Sequence, residues 1–492
     1  MARFDFDIGV IGGGAAGLTV TAGAARLGAR TLLVEKEPRL GGDCLHYGCV
    51  PSKTLIRTAA VYHTLKNAHR YGLPAVAIPP VDFRQVAERI HSVIATIQQH
   101  DSVERFCRLG AQVAFGQPRF TDEHTIDLDG TAYTASQWVL ATGSSPLVPK
   151  IDGLTRTPYL TNRELFSLEA LPSSLIILGA GLIAIEMAQA FCRLGSTVHV
   201  IQRSGQILSK EDRDLADRAM AVLQAEGITF HLNATVLRVR ALDSGQEVTY
   251  HDAAGREQTL HASALLVAQG RTANVEGLGL EGIGVARDAK GIVVDQRLRT
   301  SQKHIYAAGD VLGTHQFTHA AGYEGSAVVT NAIFHLPRRI DYTWLPWCTY
   351  IEPEFASIGM NEKRAQAAGI DHTVWREEFA MNDRALAEGE SRGMIKLLTS
   401  RGDRPLGVQI FGPHAGELLG TWVAALNGKI KLATLAAATH PYPTVGEINK
   451  RVAGSVLAEK LFSPRVAKAL ALLFGYQGRA CNLSSEGLSA ED

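Results

Sequence analysis

The sequence lacks a long hydrophobic run. Its most apolar stretch, Leu175 to Ala190, is interrupted by Gly179, Gly181 and Glu186 and is too short to span a bilayer, so no membrane partner is expected. It also lacks an excess of either charge. Its 49 Lys plus Arg face 49 Asp plus Glu, which argues against a nucleic-acid partner, since such binders show a basic surplus. Cysteine is scarce: six in 492 residues do not make a secreted disulfide scaffold, and only Cys44 and Cys49 lie close together. No secretory segment precedes the first apolar strand, so the expected compartment is the cytoplasm. What remains, 46% hydrophobic and 20% charged, excludes wholesale disorder. At roughly 100–200 residues per domain, the length predicts about three domains.

Glycine is the residue in surplus, 48 of 492, about 10% against a usual level of about 7%. The first cluster explains part of it. An apolar strand Asp5–Ile11 runs into Gly12-Gly13-Gly14-Ala15-Ala16-Gly17, then an apolar helix pattern to Leu27, then a second strand Thr31–Val34 ending at Glu35. Strand, Gly-x-Gly-x-x-Gly turn, helix, strand and a terminal acid make the dinucleotide-binding fingerprint. Gly12 serves the tight turn, Gly14 lets backbone approach a pyrophosphate at the helix N-terminus, and Gly17 allows close helix packing. Glu35 is placed to accept from a ribose hydroxyl.

The unit recurs 167 residues on: Gly12 maps to Gly179, Gly14 to Gly181, Gly17 to Ala184, and Arg26-Leu27-Gly28 to Arg193-Leu194-Gly195. Two copies predict two nucleotide sites. In this register Glu35 falls opposite Gln202, with Arg203 beside it. A carboxylate repels a 2′-phosphate and an arginine binds one, so the second site favours NADPH, with NADH on Gln202 as the alternative.

The expected fold class is α/β: two Rossmann-like dinucleotide-binding domains and a C-terminal α+β domain. Residues 1–149 form the first nucleotide domain, with a helical excursion around Phe83–Leu109, and residues 150–270 form the second. Residues 271–340 return to the first, residues 341–465 form an aromatic, β-rich domain with helices from about Ala415, and residues 466–492 form a tail. Gly143 in Ala141-Thr142-Gly143, Gly270, and Asp310 in Gly309-Asp310 are further candidate cofactor contacts.

Gly41-Gly42-Asp43-Cys44-Leu45-His46-Tyr47-Gly48-Cys49-Val50-Pro51-Ser52-Lys53 follows the first fingerprint directly. Two cysteines five positions apart at a helix start can bridge, and the helix N-terminus favours a thiolate. A zinc site needs four ligands, and no second Cys/His pair with ligand spacing occurs, so a redox disulfide is favoured and no metal site is expected. Asp43 places a negative charge beside Cys44, expected to raise its pKa. Cys107, Cys192 and Cys348 are expected as packing residues, Cys481 as an idle exposed thiol, and Arg465–Phe474 as a docking helix.

With these landmarks in this order, residues 1 to about 465 resemble the flavin-dependent pyridine nucleotide–disulfide oxidoreductases, the family of dihydrolipoamide dehydrogenase, glutathione reductase and mercuric reductase. The resemblance implies FAD on the first fingerprint, a nicotinamide on the second, Lys53 and Glu186 as the ion pair beside the isoalloxazine, Cys49 facing the flavin and Cys44 exchanging with substrate. It also implies a homodimer whose active site is shared, the C-terminal domain acting in dimerisation. Many relatives carry threonine where this chain has Asp43.

The segment His440-Pro441-Tyr442-Pro443-Thr444-Val445-Gly446-Glu447 is similar to the family's C-terminal signature. Five residues before Glu447, where disulfide-reducing members carry the acid–base histidine, stands Tyr442. A reference pKa near 10 makes tyrosine a poor shuttle at neutral pH; His440 is the possible substitute, a packing role its alternative. Tyr442 and Arg203 are similar to mercuric reductases, whose C-terminal cysteine pair is reduced here to Cys481. The expectation is therefore an enzyme passing electrons between NAD(P)H, FAD, Cys44–Cys49 and a small-molecule or protein-bound disulfide. A soft-metal reductase and a flavin NAD(P)H oxidase are the alternatives.

Overall fold

Phe6–Ile11 (β1) and Thr31–Glu35 (β2) are nearly uninterrupted runs of buried residues, the pattern of strands covered on both faces of a parallel sheet. In the computed structural model, which describes residues 4–478, they pair in parallel with each other. β2 also pairs in parallel with Ala111–Phe115, and β1 with Thr131–Leu140. Ile305–Ala307 adds a further parallel strand on Thr131–Leu140, so residues after 300 complete a sheet begun at residue 6. Trp138, on the strand Thr131–Leu140, is fully buried, edge-on to Phe120 at 5.6 Å, and donates its indole N–H to the His124 carbonyl at 2.9 Å. That bond satisfies the single polar atom of a large apolar group.

The second nucleotide fold repeats the design. Ser174–Leu178, Thr197–Ile201, Thr229–His231 and Ala264–Val267 form a four-stranded parallel sheet, and a separate antiparallel meander spans Thr235–Ala262. The helical excursion appears as Phe83–Gln98 and Val103–Arg108.

The chain divides into two compact units, one ending at Phe355 and the other beginning at Ala356. Residues 341–355, counted by sequence with the C-terminal domain, therefore sit in the first unit. Polar bonds hold them there: Tyr342 Oη donates to Glu324 at 2.7 Å, Trp347 Nε1 to Glu211 at 2.7 Å, and the Tyr350 N–H to Glu186 at 2.8 Å. The strand Glu354–Gly359, which spans the boundary, borders Pro405–Gly412, and in the second unit Pro405–Gly412, Met394–Thr399 and Thr373–Glu378 adjoin in that order. Helix Glu447–Leu461 packs on the last two of these strands, and its buried Asn449 accepts from Trp422 Nε1 at 2.8 Å. Helix Pro464–Phe474 buries none of its residues. Cys481 and the last residues of the tail lie outside the described residues. Among the described residues no helix is long and apolar enough to cross a membrane.

Candidate functional site

The first fingerprint is built as a cradle. Gly12 has φ +110°, and a Cβ there would lie 2.2 Å from the Ala141 carbonyl oxygen, so only glycine fits. Gly14 caps helix Ala15–Arg26 (α1) without a side-chain cap. The first N–H groups of α1, which have no intrahelical partners, are therefore left for an anion. Glu35, 6% exposed, accepts from the Gly13 N–H at 2.5 Å and the Glu37 N–H at 2.8 Å. It keeps lone pairs toward the cavity that it lines. The second fingerprint matches: Gly179 has φ +103°, and Gly181 caps helix Leu182–Leu194 (α2), again with no side-chain cap. Gln202 donates to Ser204 Oγ at 2.7 Å, Arg203 is exposed, and Ala184 is fully buried.

One cavity of about 970 Å³ reaches both turns; Gly12, Gly14 and Gly181 line it, as do Gly143, Gly270 and Asp310. Asp310 is pushed up by burial, against the pull of Ser144 and Arg271. The neighbouring Gly309 N–H is held by Glu324 Oε2 at 2.5 Å. Glu324 is 1% exposed, and burial raises it to about 7. An open helix N-terminus, a glycine turn no Cβ could enter and two carboxylates near the expected ribose and polyol positions fit a dinucleotide with a pyrophosphate.

Cys44 lies in the short helix Gly42–His46, and Cys49 is the first residue of helix Cys49–Lys66 (α3). Both line the same cavity, where a bridge of the kind expected from their spacing would lie. The sulfurs share a hydrogen bond that lowers Cys49 to about 6. Thr318, whose Oγ1 is 3.4 Å from Cys49 Sγ, and the Lys53 charge lower it further, against burial. The same bond, with burial, pushes Cys44 up. Lys53 Nζ is 2.7 Å from Glu186 Oε2 and 4.6 Å from the Tyr350 ring centroid, and Glu186 Oε1 accepts the Tyr350 N–H. The pair inferred from two distant motifs is thus formed, tying α3 to α2.

Two expectations change, and one gains a partner. Asp43 is not an uncompensated charge beside Cys44: Arg271 Nη2 is 3.1 Å from its carboxylate and Asn162 donates to it. Cys348 lines the cavity and Cys107 is exposed, so neither is a core residue; Cys192 is half-buried and bonds the Glu226 carbonyl. In the second unit Tyr442 Oη donates to Asp383 at 2.8 Å, which raises its pKa, while Glu447 accepts from the Thr444 N–H. His440 Nδ1 donates to the Ala438 carbonyl at 3.1 Å. Thr318, Arg271, Asn162 and Glu324 escaped the sequence reading because none lies in a local motif. The pairing of Gly270 with a following arginine was the one signal present. Among the described residues no group of three or more His, Cys, Asp or Glu could hold a metal ion.

Comparison with known proteins agrees with this arrangement. A family model described as pyridine nucleotide-disulphide oxidoreductase matches residues 6–325, and one described as its dimerisation domain matches residues 345–453. The chain is 34% identical over 474 residues to a mercuric reductase of Streptomyces lividans, covering 95% of this chain and 98% of the relative. It is 33% identical over 465 residues to a dihydrolipoyl dehydrogenase of Bacillus subtilis (strain 168), covering 90% and 96%. Among solved structures, the HOCl-induced flavoprotein disulfide reductase RclA from Escherichia coli superposes with a TM-score of 0.82 at 27% identity, covering 92% of this chain and 100% of that one. The doubled nucleotide fold, the paired thiols on its cavity and these matches have one meaning: the chain belongs to the pyridine nucleotide-disulphide oxidoreductase family, flavin-dependent enzymes that act on sulfur groups.

Proposed function

We propose that this enzyme is a cytoplasmic homodimer, its active site shared between subunits, that exchanges electrons between NADPH and a small-molecule or protein-bound disulfide through Cys44 and Cys49. The observation that carries the reading is the Cys49 thiol, lowered to about 6 beside Cys44, Thr318 and Lys53, on the cavity that both glycine turns share. FAD, held by Gly12, Gly14, Glu35, Gly143 and Asp310, supplies the two-electron link between nicotinamide and dithiol. Gly179, Gly181, Gln202 and Arg203 hold the nicotinamide cofactor.

The chain's own residues account for the sulfur chemistry. Proton loss from the shared thiol pair leaves one thiolate, held by Lys53 and Thr318. When that charge moves to Cys44, its sulfur attacks one sulfur of the substrate disulfide, and the other substrate sulfur leaves as a thiolate. Cys49 then attacks Cys44 in the mixed disulfide, releasing the second substrate thiol and closing Cys44–Cys49. A dithiol substrate runs the same steps backwards. Tyr442, its proton committed to Asp383, is a poor acid–base group, and His440 is the remaining candidate in that segment.

A second reading, reduction of a soft metal ion delivered to the two thiolates, is favoured by Tyr442 and by the identity to mercuric reductase. A panel of lipoamide in both directions, glutathione disulfide and mercuric ion, each with NADPH and NADH, separates the readings. Limited reductant should give a long-wavelength thiolate–flavin band that is lost in Cys49→Ser. Bleaching that neither cysteine substitution alters would refute the dithiol route and leave a flavin oxidase.

A further inference from the structure

Asp43 directly precedes Cys44, and nothing in dithiol exchange calls for a carboxylate there. Arg271 Nη2 lies 3.1 Å from its Oδ2. Asn162 Nδ2 donates to both carboxylate oxygens, at 3.1 and 3.3 Å, and to the Tyr47 carbonyl at 2.9 Å. The same guanidinium donates through Nε to Ser144 Oγ at 2.7 Å and through Nη2 to the Ser144 carbonyl at 2.8 Å. Ser144 Oγ in turn donates to Asp310 Oδ2 at 2.7 Å, and Arg271 Nε is 3.8 Å from that carboxylate. One cation with 11% side-chain exposure therefore serves two carboxylates, in a setting where water screens charge weakly. These residues come from separate stretches of chain and line the cavity that holds Cys44.

The charge sum gives the arrangement a direction. Asp43, Asp310 and Arg271 together carry one negative charge. Without Arg271, two carboxylates face the dithiol; with Asp43 neutralised as well, one does. Geometry adds a second effect. The Cys44 turn is tied through Arg271 and Ser144 to the Gly309–Asp310 turn, so the carboxylate on the expected polyol position and the exchanging sulfur share one anchor.

We infer that Asp43 and Arg271 form a clamp that positions the Cys44 turn against the Gly309–Asp310 turn and keeps the Asp43 charge from opposing thiolate formation. Both are positioning residues, acting on the reaction through Cys44. The inference rests on the dithiol reading above and adds the device that lets this chain carry an acid next to its exchanging sulfur. The other charged or titratable groups on the cavity are Lys53 with Glu186, Glu37 with Arg163, Glu35, Lys36, Arg39, His46, Tyr47, Lys210, Glu276, His319, Cys348 and Tyr350, besides Cys49 itself, and Glu324 lies behind Asp310. All of them remain in each variant below.

In the dithiol-reduced holoprotein, iodoacetamide labelling of Cys44, followed by peptide mass spectrometry across the neutral pH range, reads the clamp without any substrate. Arg271→Gln should move the labelling midpoint up by about one pH unit, the effect of an uncompensated carboxylate nearby. Asp43→Asn alone should move it down by less. The double variant D43N/R271Q should recover at least half of the R271Q shift. Equal midpoints in R271Q and the double variant overturn the clamp, as does an unmoved midpoint in R271Q. If R271Q does not fold, recovery of folded protein in the double variant is the same rescue, and failure of both to fold overturns it. A wild-type protein that labels as expected but exchanges with no disulfide sinks the functional reading alone.

Discussion

In both glycine-rich turns the first glycine sits at positive φ against a facing carbonyl: Gly12 under Ala141, where a Cβ would approach to 2.2 Å, and Gly179 under Ala268, at 2.5 Å. Beyond that point the two sites diverge. A Cβ on Gly17 would fall 1.8 Å from the Gly12 carbonyl, whereas the second turn has room for the buried Ala184. The first site ends in a buried carboxylate that locks two backbone N–H groups, and the second in an amide bonded to Ser204 beside an exposed arginine. The same strand–turn–helix scaffold thus makes one tight, acid-closed site and one looser site with a cation at its rim. The first suits a cofactor that stays, the second one that comes and goes.

The largest expected effect tests the shared part. Gly12→Ala should cost about 3 kcal/mol in urea unfolding, from a steric clash plus a disfavoured φ. Gly181→Ala, with open space around its Cβ and an ordinary φ, should leave stability nearly unchanged and weaken only nicotinamide binding. Equal losses would erase the distinction between cradle and rim. Next is the tie between the two folds: Lys53→Met strands Glu186, 5% exposed in its side chain, and should cost about 2 kcal/mol after allowance for the part-exposed lysine. Smaller again, Arg203→Ala should cut NADPH affinity about tenfold relative to NADH with no change in melting temperature. A wild-type protein indifferent between the two cofactors would remove the assigned polarity of the second site.

The last test reads a pH dependence at the first site. Glu324 is raised from 4.5 to about 7 by burial. Its contribution to stability is thus greatest below pH 4.5 and is lost as pH rises through about 7. Melting temperature should therefore fall less steeply across that window in Glu324→Gln than in the wild type, and parallel curves would refute the shift.

Much of this was legible because it is local. The two turns, Glu35 against Gln202-Arg203, and the Cys44–Cys49 motif each fit within one short stretch, and backbone geometry forces glycine at fixed offsets. Even the Lys53–Glu186 pair was within reach, since each partner sits in a recognisable motif. Arg271, Asn162, Thr318 and Glu324 were not, because their meaning lies in partners that only folding brings near. Asp43 shows the cost of reading charge locally: its neighbour in sequence is Cys44, but its electrostatic partner is Arg271. At Tyr442 the residue type alone suggests a poor base, and the bond to Asp383 that raises its pKa further was not legible.

The tie between α3 and α2 has a mechanical consequence. Residue 53 belongs to the stretch that carries the sulfurs, and residue 186 to the helix that opens the second nucleotide fold. The two folds are therefore riveted at the reacting centre as well as joined through residues 141–173, whose Ser144 and Asn162 anchor Arg271 and Asp43. Slack at the rivet would register at once in sulfur reactivity. The joint between the two nucleotide folds is thus also part of the wall around the two thiols.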